Sequence, residues 1–147
     1  MNSHQPVTIV MIEDDEGHAR LIEKNIRRAG INNAIKHFAD GGSAIEFMFN
    51  DPHGPVQNGP ALILLDLNLP DMSGTDILEK VKAHPALHRT PVVVLTTTDD
   101  KREIERCYDL GCNVYITKPV NYESFADAIR QLGLFLSVMQ VPEVDAD

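Results

Sequence analysis

Short, continuous runs of apolar residues recur along this 147-residue chain, and each run ends at polar residues. Such runs are typical of strands buried on both faces, whereas apolar residues spaced three and four apart indicate helices that cover a sheet. The pattern predicts five strands, at residues 7–12, 34–38, 61–66, 91–96 and 114–116. It also predicts five helices, at residues 16–30, 41–50, 73–81, 99–111 and 121–140, and a surface loop rich in proline and glycine at residues 51–60.

Strands that alternate with helices predict an α/β fold, a doubly wound five-stranded parallel sheet flanked by five helices and joined by right-handed crossovers. The length suits one domain. We expect residues 7–140 to form it, with residues 1–6 as an N-terminal lead and the polar residues 141–147 as a flexible tail.

The charge balance and the cysteines restrict the class of protein. A net charge of -9 disfavours binding to nucleic acid or to an anionic membrane, because both need a basic face. The apolar runs are too short to span a bilayer, and the first residues lack the features of a signal peptide. Cys107 and Cys112 are five positions apart, which fits neither a redox motif nor a zinc pair. These features predict a reduced cytoplasmic protein with no nucleic-acid or membrane partner.

Polar residues follow four of the five predicted strands. Because the carboxyl ends of parallel strands lie at one edge of a sheet, these residues should meet there. Two acids, Glu13 and Asp14, follow the first strand, and a third acid, Asp66, ends the third strand. The hydroxyl of Thr96 ends the fourth strand, and the cation Lys118 follows the fifth.

These residue types fit phosphoryl transfer. Clustered carboxylates are ligands that Mg²⁺ prefers, and an aspartate can accept a phosphoryl group covalently. Lys118 is a compact cation that could reach phosphate oxygens, and the Thr96 hydroxyl can donate a hydrogen bond. The sequence therefore predicts in-line transfer onto Asp66, catalysed by positioning and charge neutralisation.

The motifs that carry these residues resemble the receiver domain of two-component response regulators, which implies the flavodoxin-like receiver fold. The resemblance covers residues 7–140, and within the family it is strongest to stand-alone regulators paired with phytochrome-type histidine kinases. The subfamily features are the proline-rich insertion before the third strand and residues 93–97 and 108–113. The family motifs are Ile12-Glu13-Asp14-Asp15, Leu64-Leu65-Asp66-Leu67-Asn68-Leu69-Pro70 with Ser73-Gly74, Val94-Leu95-Thr96-Thr97, and Tyr115-Ile116-Thr117-Lys118-Pro119.

The resemblance implies a ligand set for the metal. Asp66 would accept the phosphoryl group from a kinase histidine. Asp14, Asp66 and the Asn68 backbone carbonyl would bind Mg²⁺ directly, and Glu13 would act through water. The role of Asp15 stays open.

The resemblance also implies a phosphate contact, a switch and a control of phosphate lifetime. Lys118 would contact the phosphoryl group, next to a cis bond to Pro119. Thr96 would turn toward the phosphate and Tyr115 would swing inward behind it. Asn68 and Thr98 would tune dephosphorylation.

We expect a phosphoacceptor signalling module and not an enzyme. Two alternatives to this prediction stay open. A hydrolase with an aspartyl-phosphate intermediate needs a second acid near the nucleophile, where this chain has Asn68, and a substrate-covering insertion. A receiver-like fold that binds partners without phosphorylation would not need the acids, Thr96 or Lys118. A metal pair at His84 and His88 is disfavoured because Pro85 interrupts the helix it would need.

The expected partners are proteins. No second domain follows the predicted one, so we expect a sensor histidine kinase upstream and output through protein contacts. The end of the last helix is apolar over a wider arc than one packed face requires, at residues 134–136, 138, 139 and 141. That pattern favours a homodimer through the fourth helix, fifth strand and fifth helix; the alternative is a helix packed only on its own core.

Overall fold

Strands and helices alternate along the chain in a computed structural model, which describes residues 7–118, 121–123, 125 and 127. The strands are β1 Thr8–Ile12, β2 Ile35–Phe38, β3 Ala61–Leu65, β4 Val92–Thr96 and β5 Val114–Thr117. The helices are α1 Glu16–Arg28, α2 Gly41–Ile45 with its π-helical continuation Glu46–Asn50, α3 Pro55–Asn58, α4 Gly74–Ala83 and α5 Lys101–Leu110. Residues 122, 123, 125 and 127 are helical, at the predicted start of the last helix.

The five strands form one parallel sheet in the order β2-β1-β3-β4-β5. The chain winds outward from β1 to β2, returns to β3 on the other side of β1, and then continues to β4 and β5. The strand order thus changes direction between β1 and β3, which is where open α/β sheets place their ligands, at the carboxyl ends of the strands. The predicted doubly wound α/β fold is confirmed.

The core lies on both faces of the sheet. Side chains at alternate positions of the central strand β3 point to opposite faces, so Leu64 joins one apolar cluster and Ile63 joins the other. The first cluster includes Ile22 of α1 and Phe125, and the second includes Ile77 of α4. Because β1, β3 and β4 are covered on both sides, they needed the continuous apolar sequences from which they were predicted.

Capping residues define where four of the helices begin. Asp15 caps α1, Asp40 caps α2, Ser73 caps α4 and Asp100 caps α5, each by accepting a hydrogen bond from a backbone N–H in the first turn. In α4 the donor to the Ser73 hydroxyl is the N–H of Thr75, at 3.2 Å. Gly111 ends α5 with φ of 107°, a left-handed conformation that suits glycine.

The prediction of a loop at residues 51–60 is wrong for residues 55–58, which form α3. Pro55 stands at the first turn of this helix, where a missing N–H costs nothing. The corner before it is tight, because Gly54 lies against the backbone of Phe47 in the π-helical segment. The second helix is also less regular than predicted, since its second half is π-helical.

Some predictions fall outside the described residues. They include residues 134–136, 138, 139 and 141 of the proposed dimer strip, Pro119 of the expected cis bond, the N-terminal lead 1–6 and the tail 141–147. In the part of the chain that is described, no helix is both long and apolar enough to cross a membrane.

Candidate functional site

Three buried charged side chains meet at the carboxyl edge of the sheet. Glu13 follows β1, Asp66 follows β3 and Lys118 follows β5. The ammonium of Lys118 donates to Oδ2 of Asp66 at 3.1 Å and to Oε1 of Glu13. One lysine therefore pairs with two carboxylates that are distant from it in sequence. The structure brings these three residues together, as expected from strands that end at one edge of the sheet.

The backbone at these strand ends is fixed by the sheet itself. Asp66 donates its N–H to the carbonyl of Ile12 at 3.0 Å, and Lys118 donates its N–H to the carbonyl of Thr96 at 2.7 Å. Glu13 bonds to the neighbouring β2 in the same way. The hydrogen bonding thus continues one residue past the strands and holds the charged residues in register.

Burial dominates the electrostatics of Glu13. Loss of contact with water raises the pKa of its carboxyl, and the nearby charge of Asp66 raises it further. The Lys118 ammonium and the backbone N–H of Asp15, which lies 3.1 Å from Oε2, act in the opposite direction. A buried carboxylate is costly unless it is paired, so Glu13 depends on Lys118.

The two oxygens of Asp66 have different partners. Oδ1 accepts the backbone N–H of Asn68 at 3.0 Å, and Oδ2 accepts the Lys118 ammonium. The loop that follows is folded tightly back, because Gly74 donates its N–H to the carbonyl of Leu67 at 2.9 Å. A side chain at position 74 would collide with this backbone. The sequence Ser73-Gly74 therefore allows α4 to start directly behind Asp66.

An oxygen-rich cluster lies at the same place. Carboxylate oxygens of Glu13, Asp14 and Asp66 lie within 4.8 Å of one another, and Asp14 is the exposed member. Hard oxygen donors around one open position fit Mg²⁺, which binds a few carboxylates and keeps waters. Asp15 is engaged elsewhere: it caps α1 through the N–H of His18 at 2.9 Å, which lowers the pKa of its carboxyl.

Of the two predicted switch residues, Thr96 is linked to Asp66 through Asn68, whereas Tyr115 contacts the segment that follows β4. Thr96 is fully buried, and its hydroxyl accepts a long hydrogen bond of 3.4 Å from the Asn68 side chain. Tyr115 is half-buried and donates its hydroxyl to the carbonyl of Thr98 at 2.6 Å. Burial raises the pKa of the Tyr115 phenol to about 12, so this donor keeps its proton. The roles of Thr96 and Tyr115 as switches and of Asn68 and Thr98 in dephosphorylation stay predictions.

Comparison with known proteins identifies the family. The family model for the response regulator receiver domain matches residues 9–130. The chain belongs to this family. The receiver domain is 33% identical over 135 residues to the response regulator Rcp1 of Synechocystis sp., covering 90% of each protein.

Solved structures agree with this assignment. A receiver domain from Rhodospirillum rubrum is 70% identical, with a TM-score of 0.76, over 95% of this chain and 100% of that one. The phosphorylated cyanobacterial phytochrome response regulator RcpA is 31% identical with a TM-score of 0.76, over the same shares. The Mn²⁺-bound form of Rcp1 is also 31% identical, with a TM-score of 0.71, over 96% of this chain and 100% of that one. The predicted resemblance to phytochrome-associated regulators is confirmed.

One residue of this receiver domain's site was missed by the sequence reasoning. Nδ1 of His18 lies 3.1 Å from the Lys118 ammonium and 3.9 Å from Oε2 of Glu13. The available signal was its position, since the first turn of α1 begins at the edge where β1 ends. By contrast, His84 and His88 share no helix, because α4 ends at Ala83.

Proposed function

We propose that this receiver domain accepts a phosphoryl group on Asp66, with Mg²⁺, from a sensor histidine kinase of the phytochrome type. The observation that carries the proposal is the environment of the Asp66 carboxylate. It lies at the switch point of the sheet, beside Glu13 and Asp14 and in contact with the Lys118 ammonium. A carboxylate, an ammonium and a cluster of oxygen donors thus meet at one place, which supports their roles as nucleophile, phosphate contact and metal ligands.

The reaction is a displacement at phosphorus. A carboxylate oxygen of Asp66 forms the new O–P bond while the P–N bond to the kinase histidine breaks, and the electron pair of that bond returns to the imidazole nitrogen. Lys118 contacts the phosphoryl oxygens and compensates their charge, and the Thr96 hydroxyl donates to another oxygen. These groups act by position and charge, since phosphoryl transfer needs little else from a protein.

The ligand set that the family resemblance implies is compatible with the cluster of Glu13, Asp14 and Asp66. Asp14, Asp66 and the Asn68 carbonyl would hold Mg²⁺ directly, and Glu13 would act through water. When bound, Mg²⁺ would neutralise the carboxylates and the incoming phosphoryl oxygens. Two features support this set: the oxygen donors of the cluster, and the Mn²⁺-bound form of the relative Rcp1.

The relatives support the class of kinase. RcpA is a phosphorylated cyanobacterial phytochrome response regulator, and its similarity extends over almost the whole chain. This receiver domain would then relay the signal through protein contacts, as a phosphoacceptor and not as an enzyme with turnover. We further propose a homodimer on the side of α5, β5 and the last helix, which the apolar residues 134–136, 138, 139 and 141 favour. A chain that stays monomeric throughout a concentration series in analytical ultracentrifugation would refute the dimer.

The phosphorylation site can be tested with a small phosphodonor. Full-length protein is incubated with acetyl phosphate, with Mg²⁺ or with chelator, and analysed by intact mass. We expect Mg²⁺-dependent labelling of the wild type and of the control Asp109→Asn, which changes an exposed acid near the end of α5, away from the carboxyl edge of the sheet. Asp66→Asn should not be labelled, and labelling that persists in this variant would disprove the assignment.

The kinase class needs a separate experiment. Purified histidine kinases of the phytochrome type and of other sensor types are autophosphorylated and mixed with this receiver domain. Transfer to Asp66 should be fastest from a phytochrome-type kinase. Equal rates from all kinases would leave the phosphoacceptor function intact and remove the phytochrome assignment.

A further inference from the structure

The Lys118 ammonium has three acceptors around it. Two are the buried carboxylates of Asp66 and Glu13, and the third is Nδ1 of His18 at 3.1 Å. An ammonium carries three N–H donors, so these three acceptors match its full capacity. The third contact joins residues one hundred positions apart.

The chemistry of the pair fixes the state of the imidazole. A lysine ammonium can only donate, so Nδ1 of His18 must be the acceptor and the ring hydrogen must lie on Nε2. The ring is therefore neutral in this arrangement. It adds a directional partner for Lys118 without adding a charge.

His18 contacts Lys118 from a position outside the two apolar clusters. Its backbone N–H is bonded to Oδ1 of Asp15 at 2.9 Å, so the residue is fixed in the first turn of α1. Its side chain is 45% exposed at the mouth of the site. Replacing the ring thus removes a contact to Lys118 but leaves no cavity in the apolar clusters.

We propose that His18 is a positioning residue for phosphoryl transfer, acting through Lys118. This inference rests on the proposed function. A lysine has a flexible four-carbon stem, and phosphoryl transfer depends on where its ammonium stands. By accepting the third hydrogen bond, Nδ1 holds the ammonium beside Asp66 and prevents it from turning to solvent, so that during transfer the N–H now bonded to Asp66 can turn to a phosphoryl oxygen.

Two substitutions separate the acceptor from the bulk of the ring. His18→Leu keeps volume and removes the acceptor, whereas His18→Asn places an oxygen the same number of bonds from Cβ as Nδ1. With acetyl phosphate and saturating Mg²⁺, His18→Leu should be labelled about five-fold more slowly, the size of one partly solvated hydrogen bond to a charged group. His18→Asn should recover the rate to within about two-fold.

A double-mutant comparison tests whether the effect passes through the lysine. In a Lys118→Ala background, His18→Leu should cause no further loss of rate, because the group it positions is gone. An undiminished loss in that background, or a wild-type rate in His18→Leu alone, would overturn the proposal.

A readout that needs no phosphorylation keeps the two proposals distinguishable. In ¹⁵N NMR of the full chain, the ring of His18 should show hydrogen on Nε2 and an unprotonated Nδ1 whose resonance shifts in Lys118→Ala. Hydrogen on Nδ1, or no shift in that variant, would overturn the inference. Failure of the wild type to be labelled would refute the phosphoacceptor function, while the NMR result would still decide the contact between Lys118 and His18.

Discussion

Gly74 is the position where substitution should affect both stability and the reaction. It begins α4 against the end of β3, and an added Cβ would lie 2.4 Å from the carbonyl oxygen of Asp66 and 2.6 Å from Cα of Leu67. Carbon atoms normally approach other heavy atoms to about 3.5 Å. Gly74→Ala therefore forces α4 and the Asp66 backbone apart by roughly 1 Å.

The size of both effects follows from this displacement. Overpacking against atoms that cannot rotate away costs about 1–3 kcal/mol, and backbone contacts place Gly74→Ala at the upper end. Phosphorylation should suffer more than stability, because an error of about 1 Å in the position of a reacting group can cost on the order of 100-fold in rate.

A second glycine provides the matched control. A Cβ at Gly54 would lie 1.9 Å from the carbonyl oxygen of Phe47, so Gly54→Ala is at least as strained. It lies in the connection to the amino end of β3, at the edge of the sheet opposite Asp66. Urea denaturation should show both variants destabilised, whereas labelling by acetyl phosphate, under conditions where both are folded, should slow only in Gly74→Ala. If Gly74→Ala is destabilised but labelled at the wild-type rate, its close approach does not position Asp66.

Other expected outcomes concern the metal, the pH dependence and the tyrosine. In urea denaturation, Mg²⁺ at one hundred times its Kd should raise the free energy of unfolding of the wild type by about 2.7 kcal/mol. The same Mg²⁺ concentration should stabilise Asp14→Asn much less, and an equal gain in the variant would exclude Asp14 as a ligand. Burial raises the pKa of the Glu13 carboxyl in the folded protein above its ordinary value of 4.5. The protonated carboxyl therefore stabilises the fold at low pH, and this contribution to the free energy of unfolding is lost as the pH rises through the folded-state pKa. In metal-free buffer the wild type should therefore lose stability relative to Glu13→Gln as pH rises from 4.5, and a constant difference would contradict this. Tyr115→Phe should lower the free energy of unfolding by about 0.5–1 kcal/mol, because it removes the hydrogen bond to Thr98. An absorbance titration of the wild type should show a phenol of pKa about 12 that is missing in the variant, and an unchanged titration would show that Tyr115 is not that phenol.

The central strands were predictable because burial on both faces requires continuous apolar sequence. The run that precedes Asp66 is fully buried in β3, and the strand ends at Leu65, one residue earlier than predicted. The convergence of Glu13, Asp66 and Lys118 followed from one geometrical fact, that parallel strands end at a common edge. An acid at the end of a buried parallel strand therefore indicates where the candidate site lies.

The missed features depend on information that local pattern does not contain. The short helix α3 lies in a segment whose prolines and glycines indicate turns but do not say which turn. The contact of His18 with Lys118 needs the direction of one side chain on α1 and of another a hundred residues later. Pattern places a residue on an element, whereas such contacts depend on where the elements finally pack.

The charges of the site favour a divalent cation beside the lysine. Three carboxylates, of Glu13, Asp14 and Asp66, face the single ammonium of Lys118, so two negative charges remain uncompensated. A divalent cation would make the cluster neutral, and only then would the approach of an anionic phosphoryl group cease to be repelled. In the proposed reaction, transfer would convert Asp66 from a monoanion into an acyl phosphate with greater negative charge, which the metal and Lys118 would share. The buried pairing of one lysine with two acids thus holds the cation at the position where the new charge would arise.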